Sequence, residues 1–143
     1  MTRSGIVPRI AQSWWAPGRV VASLRGTPER VLIVILMAAM LIFWVAQAPG
    51  HARAAHLDPS VPLDARLGGA LLAVVFMMPL VAYVVAELVA FASRLTPWRV
   101  SSADSRLALF WALLAVAPAM LLSGLTLGLA GPGAALSLTR AVA

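Results

Sequence analysis

The stretch VLIVILMAAMLIFWVAQA, residues 31–48, runs eighteen residues without a charge. At 1.5 Å per residue, a helix of that length approaches the ~30 Å of hydrocarbon in a bilayer. Two further stretches have the same character. LGGALLAVVFMMPLVAYVVAELVAFA fills residues 67–92 with one charge, Glu87, and LALFWALLAVAPAMLLSGLTLGLA fills residues 107–130 with none. The sequence therefore predicts an all-α integral membrane bundle of three transmembrane helices, over residues 31–48, 67–92 and 107–130. Residues 1–27 read as a basic, interfacial, cytoplasmic segment, and residues 28–143 as the transmembrane helical domain.

Composition points the same way. Of 143 residues, 62% are hydrophobic and 11% charged, where a soluble domain averages about 25% charged. Little length is left for a separate soluble domain. Cysteine is absent, which excludes disulfides, thiolate metal sites and a cysteine nucleophile. The net charge of +6 comes from eleven Arg and no Lys against five carboxylates. Because the arginines flank apolar spans, they orient the chain and meet anionic headgroups; nucleic acid is not an expected partner. The Arg-only, Ala-rich usage fits a GC-rich bacterial genome. The first apolar run is too long for a signal-peptide core, so the N-terminus reads as uncleaved.

The N-terminal segment carries Arg3, Arg9, Arg19, Arg25 and Arg30, interleaved with Ile10, Trp14, Trp15, Val20, Val21 and Leu24. Pro8 and Pro17 argue against one long helix. Short amphipathic pieces in the headgroup layer, anchored by Trp14 and Trp15, fit these residues; so does a solvated basic tail. Thr27-Pro28-Glu29 reads as a helix start, with Thr27 as cap. Pro49-Gly50 should end that helix, and Trp44 and Trp98 mark interfaces at span ends. The tail and the loop 93–106 hold eight arginines, the loop 49–66 two, and the C-terminal residues one, Arg140. The positive-inside rule then puts the N-terminus in the cytoplasm of a bacterial inner membrane. Pro79 and Pro118 should kink the second and third spans.

Small residues form the sharpest pattern. In the third span Ala108, Ala112, Ala115, Ala119, Ser123 and Thr126 recur at three- and four-residue steps, with Gly124 and Gly128 beside them. The second span has two four-residue ladders, Ala65-Gly69-Ala73 and Ala82-Ala86-Ala90. Without the kink at Pro79 these would face opposite sides, so the two halves should pack against different neighbours. Lipid gives helices no hydrophobic reason to associate, so smooth faces that allow close approach are where packing is expected.

Glu87 is the one carboxylate inside a span, about 11 Å from the segment centre at 1.5 Å per residue. Tyr83 lies one turn earlier on the same face. Two readings apply: a titrating group with Tyr83 as its hydrogen-bond partner, or an ion pair with Arg94, Arg99 or Arg106 that ties the second helix to the third. His51 and His56 share a loop with Asp58 and Asp64, but their spacing matches no zinc motif, and they read as solvent-exposed loop residues. Gly131-Pro132-Gly133 is a turn, since no Lys follows to make a phosphate loop. No catalytic set, metal site or cofactor motif is present, so the expectation is a non-enzyme.

Two stretches carry a family likeness: HLDPSVPLDARLGGALL, residues 56–72, and SRLALFWALL, residues 105–114, followed by Ala117-Pro118, Gly124 and Gly131-Pro132-Gly133. With these residues the chain resembles the bacterial branch of the YIP (Ypt-interacting protein) family, in its alphaproteobacterial form, over roughly residues 25–135. The resemblance implies a small helical membrane bundle without known catalytic residues. Eukaryotic relatives are trafficking proteins that interact with small GTPases. Such proteins usually continue into one or two more spans, so the sequence reads as short at its C-terminus. The combined expectation is an accessory or assembly subunit that packs against other membrane subunits in a larger complex, a bioenergetic complex being one such setting, with the lipid bilayer as its surroundings. The alternative is a small transporter or ion-coupled module using Glu87.

Overall fold

The computed structural model describes residues 5–131. Arg3, Arg140, Pro132, Gly133 and residues 134–143 lie outside the described residues. The protein is all-α, and no strand occurs among the described residues. Its elements are α1 (Ile6–Ser13), α2 (Pro17–Ser23), α3 (Glu29–Leu57), α4 (Leu63–Leu71), a π-helical turn (Leu72–Met77), α5 (Met78–Ser93) and α6 (Ser102–Ala130). Three helices are long and apolar enough to cross a membrane: Glu29–Leu57, Leu63–Ser93 and Ser102–Ala130. At most 28% of each apolar window is buried within the chain. So much outward apolar surface suits lipid and not water.

Each span is longer than its apolar run. α3 continues through Pro49 and Gly50 to Leu57. A proline inside a membrane helix is tolerated where a neighbour accommodates the freed backbone, and α6 offers a glycine there, since a Cβ on Gly128 would meet Pro49 Cβ at 2.3 Å. His51 is therefore helical and partly buried, which corrects its reading as a solvent-exposed loop residue. His56 is exposed, at the end of the same helix. Pro8 lies inside the first turn of α1 and does not break it, because the N–H it lacks would be unsatisfied there anyway. Pro17 does open a new helix. The Thr27 hydroxyl does not cap α3. It donates to the Leu24 carbonyl, and the Pro28 carbonyl receives the first amides, from Val31 and Leu32. At α6, Ser101 caps instead, its Oγ accepting the Asp104 amide at 3.1 Å. The π-helical turn sits just before Pro79, where a proline ring crowds the preceding turn and disturbs the α-register.

The chain divides into two compact units, Met1–Ala39 with Pro79–Val116, and Met40–Met78 with Ala117–Ala143. In the first, Leu32 and Leu36 of α3 are buried together with Phe110, Trp111 and Leu114 of α6. Tyr83 and Phe110 meet edge to face, with ring centroids 5.0 Å apart. Ala82, Ala86 and Ala90 are buried. They let α5 come close enough to α6 for Ser105 Oγ to donate to the Ala86 carbonyl at 2.7 Å. The N-terminal helices belong to this unit. Trp111 Nε1 donates to Ser13 Oγ at 2.7 Å, and Ser13 Oγ donates to the Arg9 carbonyl at 2.7 Å.

In the second unit, contact is made by backbone. A Cβ on Gly124 would lie 1.7 Å from the Ala46 carbonyl oxygen, so α6 meets α3 without an intervening side chain. Gly131 has φ +82°, the left-handed conformation that ends α6. The Trp44 indole N–H donates to the Leu67 carbonyl at 3.0 Å. Trp44 is thus a tie between α3 and α4 as well as a residue near a span end. Between those helices Asp58 forms an Asx turn, its Oδ1 accepting the Ser60 amide at 3.1 Å.

Candidate functional site: a shared arginine between two carboxylates

The polar residues of the spans converge in the first unit. Glu29 opens α3, Tyr83 and Glu87 stand one turn apart on α5, and Ser102 and Arg106 lie on the first turns of α6. Arg106 Nη1 reaches Glu87 Oε1 at 2.7 Å, and its Nη2 reaches Glu29 Oε2 at 3.3 Å. Ser102 Oγ donates to the other Glu87 oxygen at 2.9 Å. The Tyr83 hydroxyl donates to Glu29 Oε1 at 2.7 Å. The guanidinium is mostly covered, at 23% side-chain exposure, while the Glu87 side chain keeps 49%.

Of the three arginines considered as partners for Glu87, Arg106 makes the contact. The expected hydrogen bond between Tyr83 and Glu87 is absent, although both lie on one face. Glu87 is drawn to α6 by a guanidinium and a hydroxyl, and Tyr83 reaches instead to the carboxylate at the start of α3. The arrangement suits a three-helix clamp: both Glu87 oxygens are bonded, and one cation neutralises parts of two anions. It also holds two carboxylates against one guanidinium, a surplus of negative charge.

Other sequence-selected residues fall in different places. Ala108 and Ala112 are exposed, not packed between spans. The buried face of α6 in this unit carries Ser105, Leu107, Phe110, Trp111 and Leu114, because large side chains fill the gap that the small α5 ladder leaves. Ala108 and Ala112 instead line a cleft of about 560 Å³ with Trp14, Pro17, Val21 and Trp111. Ala115 and Ala119 are partly buried, and the Ala115 carbonyl accepts the Trp14 indole N–H at 3.1 Å. Gly124 and Gly128 lie against Ala46 and Pro49. Trp15 is exposed, and Trp98 is 82% exposed. The ladder Ala65-Gly69-Ala73 is exposed along its whole length. Among the described residues, no group of three metal-binding side chains occurs.

Sequence reading gave Glu29 only a place in the helix start Thr27-Pro28-Glu29 and gave Ser102 and Ser105 no contact role. Glu29 was legible only as a favourable charge at a helix N-terminus, and nothing local says that a tyrosine 54 residues away will bind it. The Ser101-Ser102-Ala103-Asp104 pattern, a capping signature, could have moved the start of α6 upstream and brought Ser102 level with Glu87.

Comparison with protein-family models, curated proteins and solved structures gives no match to this chain.

Proposed function

We propose that this chain is a non-enzymatic subunit of a larger membrane assembly, held in a bacterial inner membrane with its N-terminus cytoplasmic. One observation carries the reading. Gly68 and Gly69 lie in a membrane-length helix, and a Cβ on either would meet nothing within 4 Å. Ala65 and Ala73 continue the same open strip. Glycine is costly in a helix, by about 1 kcal/mol against alanine. Two in succession make physical sense where another helix comes close. The chain's own packing uses the Ala82-Ala86-Ala90 ladder and leaves this one for a neighbour. The resemblance to the YIP family agrees with a bundle that works through contacts, and the Arg106 clamp then serves to hold three helices in register.

The test is mild detergent extraction of the tagged protein from its native membrane, followed by a native gel and mass spectrometry. Stoichiometric recovery with one larger complex, weakened by Gly68→Ile and Gly69→Ile, is the expected result. Recovery alone from both forms removes the proposal.

The surplus carboxylate favours one second reading, an ion-coupled module in which Glu87 exchanges a proton. Glu87→Gln would then abolish transport in vesicles while leaving assembly intact; unchanged transport eliminates it.

A further inference from the structure

Gln47 and His51 stand one turn apart on α3 and so share a face. Neither side chain makes a hydrogen bond to any described residue, and His51 Nε2 is buried without a partner. Both belong to a helix of membrane-spanning character. In such surroundings an amide and an imidazole lacking partners are costly. The amide offers two donors and an acceptor, and the neutral imidazole one of each.

These two residues line a cleft of about 410 Å³ in the second unit, with Ala46 and Gly50 of α3 and Gly124 and Leu127 of α6. The size lies within the range of small-molecule sites, and so does the chemistry, apolar walls with few polar groups. The glycines keep it open: a Cβ on Gly50 would come within 3.0 Å of Leu127 Cδ2. Ser123 also lines the cleft, but its hydroxyl already donates to the Met120 carbonyl at 3.0 Å and has only acceptor capacity left. No charged side chain is among the lining residues. The site therefore offers donors in an apolar, uncharged setting. That matches a neutral carbonyl oxygen and disfavours phosphate or carboxylate, whose charge would have no counter-ion.

We infer that this cleft binds the carbonyl-bearing end of a neutral membrane amphiphile, with Gln47 and His51 donating to the oxygen and the apolar chain leaving along α3 and α6. Two membrane sources carry that chemistry, the ring carbonyl of an isoprenoid quinone and the ester carbonyl of a phospholipid. The inference does not depend on the assembly reading.

The experiment uses the full chain, delipidated in detergent, titrated separately with decyl-benzoquinone and with phosphatidylethanolamine and read by native mass spectrometry. Wild type should retain one amphiphile per chain, and the arm that binds identifies the source. Gln47→Leu and His51→Leu should each weaken binding about tenfold, the effect of losing one hydrogen bond. Both should unfold in ligand-free detergent at the same temperature as wild type or higher, since each removes an unsatisfied polar group. Ser123→Leu fills the cleft from α6 without touching either donor and should abolish binding, which keeps the test decisive if a donor variant fails to fold. Binding of neither amphiphile by wild type, or equal binding by all variants, overturns the inference.

Discussion

The two compact units are built from the same three long helices but held by different forces. Where Tyr83, Glu87, Ser105 and Arg106 lie, side chains reach across between helices and the contacts are polar. Where Gly124 and Gly128 lie, backbone presses on backbone and the contacts are dispersive. Both solve one problem. In lipid, burying Leu against Leu gains little over leaving Leu in acyl chains, so association needs hydrogen bonds or very close packing. The polar unit is specific because only matched partners satisfy its groups. The glycine unit is specific because only residues without a Cβ fit.

This contrast fixes where the chain should be most fragile. Gly124→Ala places a methyl group 1.7 Å from the Ala46 carbonyl oxygen, a backbone atom that cannot swing aside. The helices must separate, and the expected cost is about 3 kcal/mol, at the upper end of overpacking penalties and well above the ~1 kcal/mol that alanine returns in helix propensity. Unfolding in mixed micelles measures it. A loss no larger than that of a surface alanine would mean that close approach does not hold the second unit. Arg106→Met attacks the polar unit and leaves two carboxylates facing each other. About 2 kcal/mol is expected, because the guanidinium is mostly covered while its partners are half exposed. Glu87→Gln keeps the shape and one acceptor, so it should cost about 1 kcal/mol. If it costs more than Arg106→Met, Glu87 has a role beyond the clamp.

The two units also differ in how readable they were. Three apolar runs were enough for the all-α fold and the number of spans, because hydrocarbon thickness sets helix length without reference to tertiary contacts. The GxxxG pair Gly124-Gly128 was visible because its chemistry is an absence of side chain, which a sequence displays directly. The clamp was half visible. Glu87 announced itself by depth, but its partners come from two other helices, and the sequence carries no distance between them. α3 misled the reading because Pro49-Gly50 is a strong stop signal in water. The helix runs on since α6 supplies a surface shaped to the proline ring. The same surprise placed His51 in a cleft and not in a loop. Ala108 and Ala112 had the right spacing for a seam, but periodicity marks a face without naming what covers it. The large side chains of α6 took the buried position.

A fourth variant separates glycines used inside the chain from those left outside it. Gly68→Ala adds a methyl where nothing lies within 4 Å. The isolated chain should become more stable by about 1 kcal/mol through helix propensity. Recovery of any partner helix on that strip should fall in the same variant. Gly124→Ala and Gly68→Ala should thus change stability in opposite directions, though both replace a glycine in a membrane-length helix. Destabilisation by Gly68→Ala in detergent would show that its face is already covered within the chain.

The smallest effect concerns the polar contact of the second unit that lies outside the spans, in the turn between α3 and α4. The Ser60 hydroxyl and then the Ser60 amide hold the Asp58 carboxyl below its ordinary value of 3.8, with Arg66 adding attraction. A carboxylate with a lowered folded value binds fewer protons folded than unfolded. Its contribution is therefore fully present above 3.8 and is lost as pH falls through the lower, folded value. Between neutral pH and 3.8 the turn should not change. Below that range the Ser60 amide, which donates to Asp58 Oδ1 at 3.1 Å, should lose protection in hydrogen exchange. Asp58→Asn should remove the pH dependence while keeping a side-chain acceptor. A carboxyl that titrates above 3.8 by NMR would reverse the sign and remove the Asx turn as its cause. The contacts of Gly124 with Ala46 and of Gly128 with Pro49 should report no change across the same range, because no titratable side chain takes part in them.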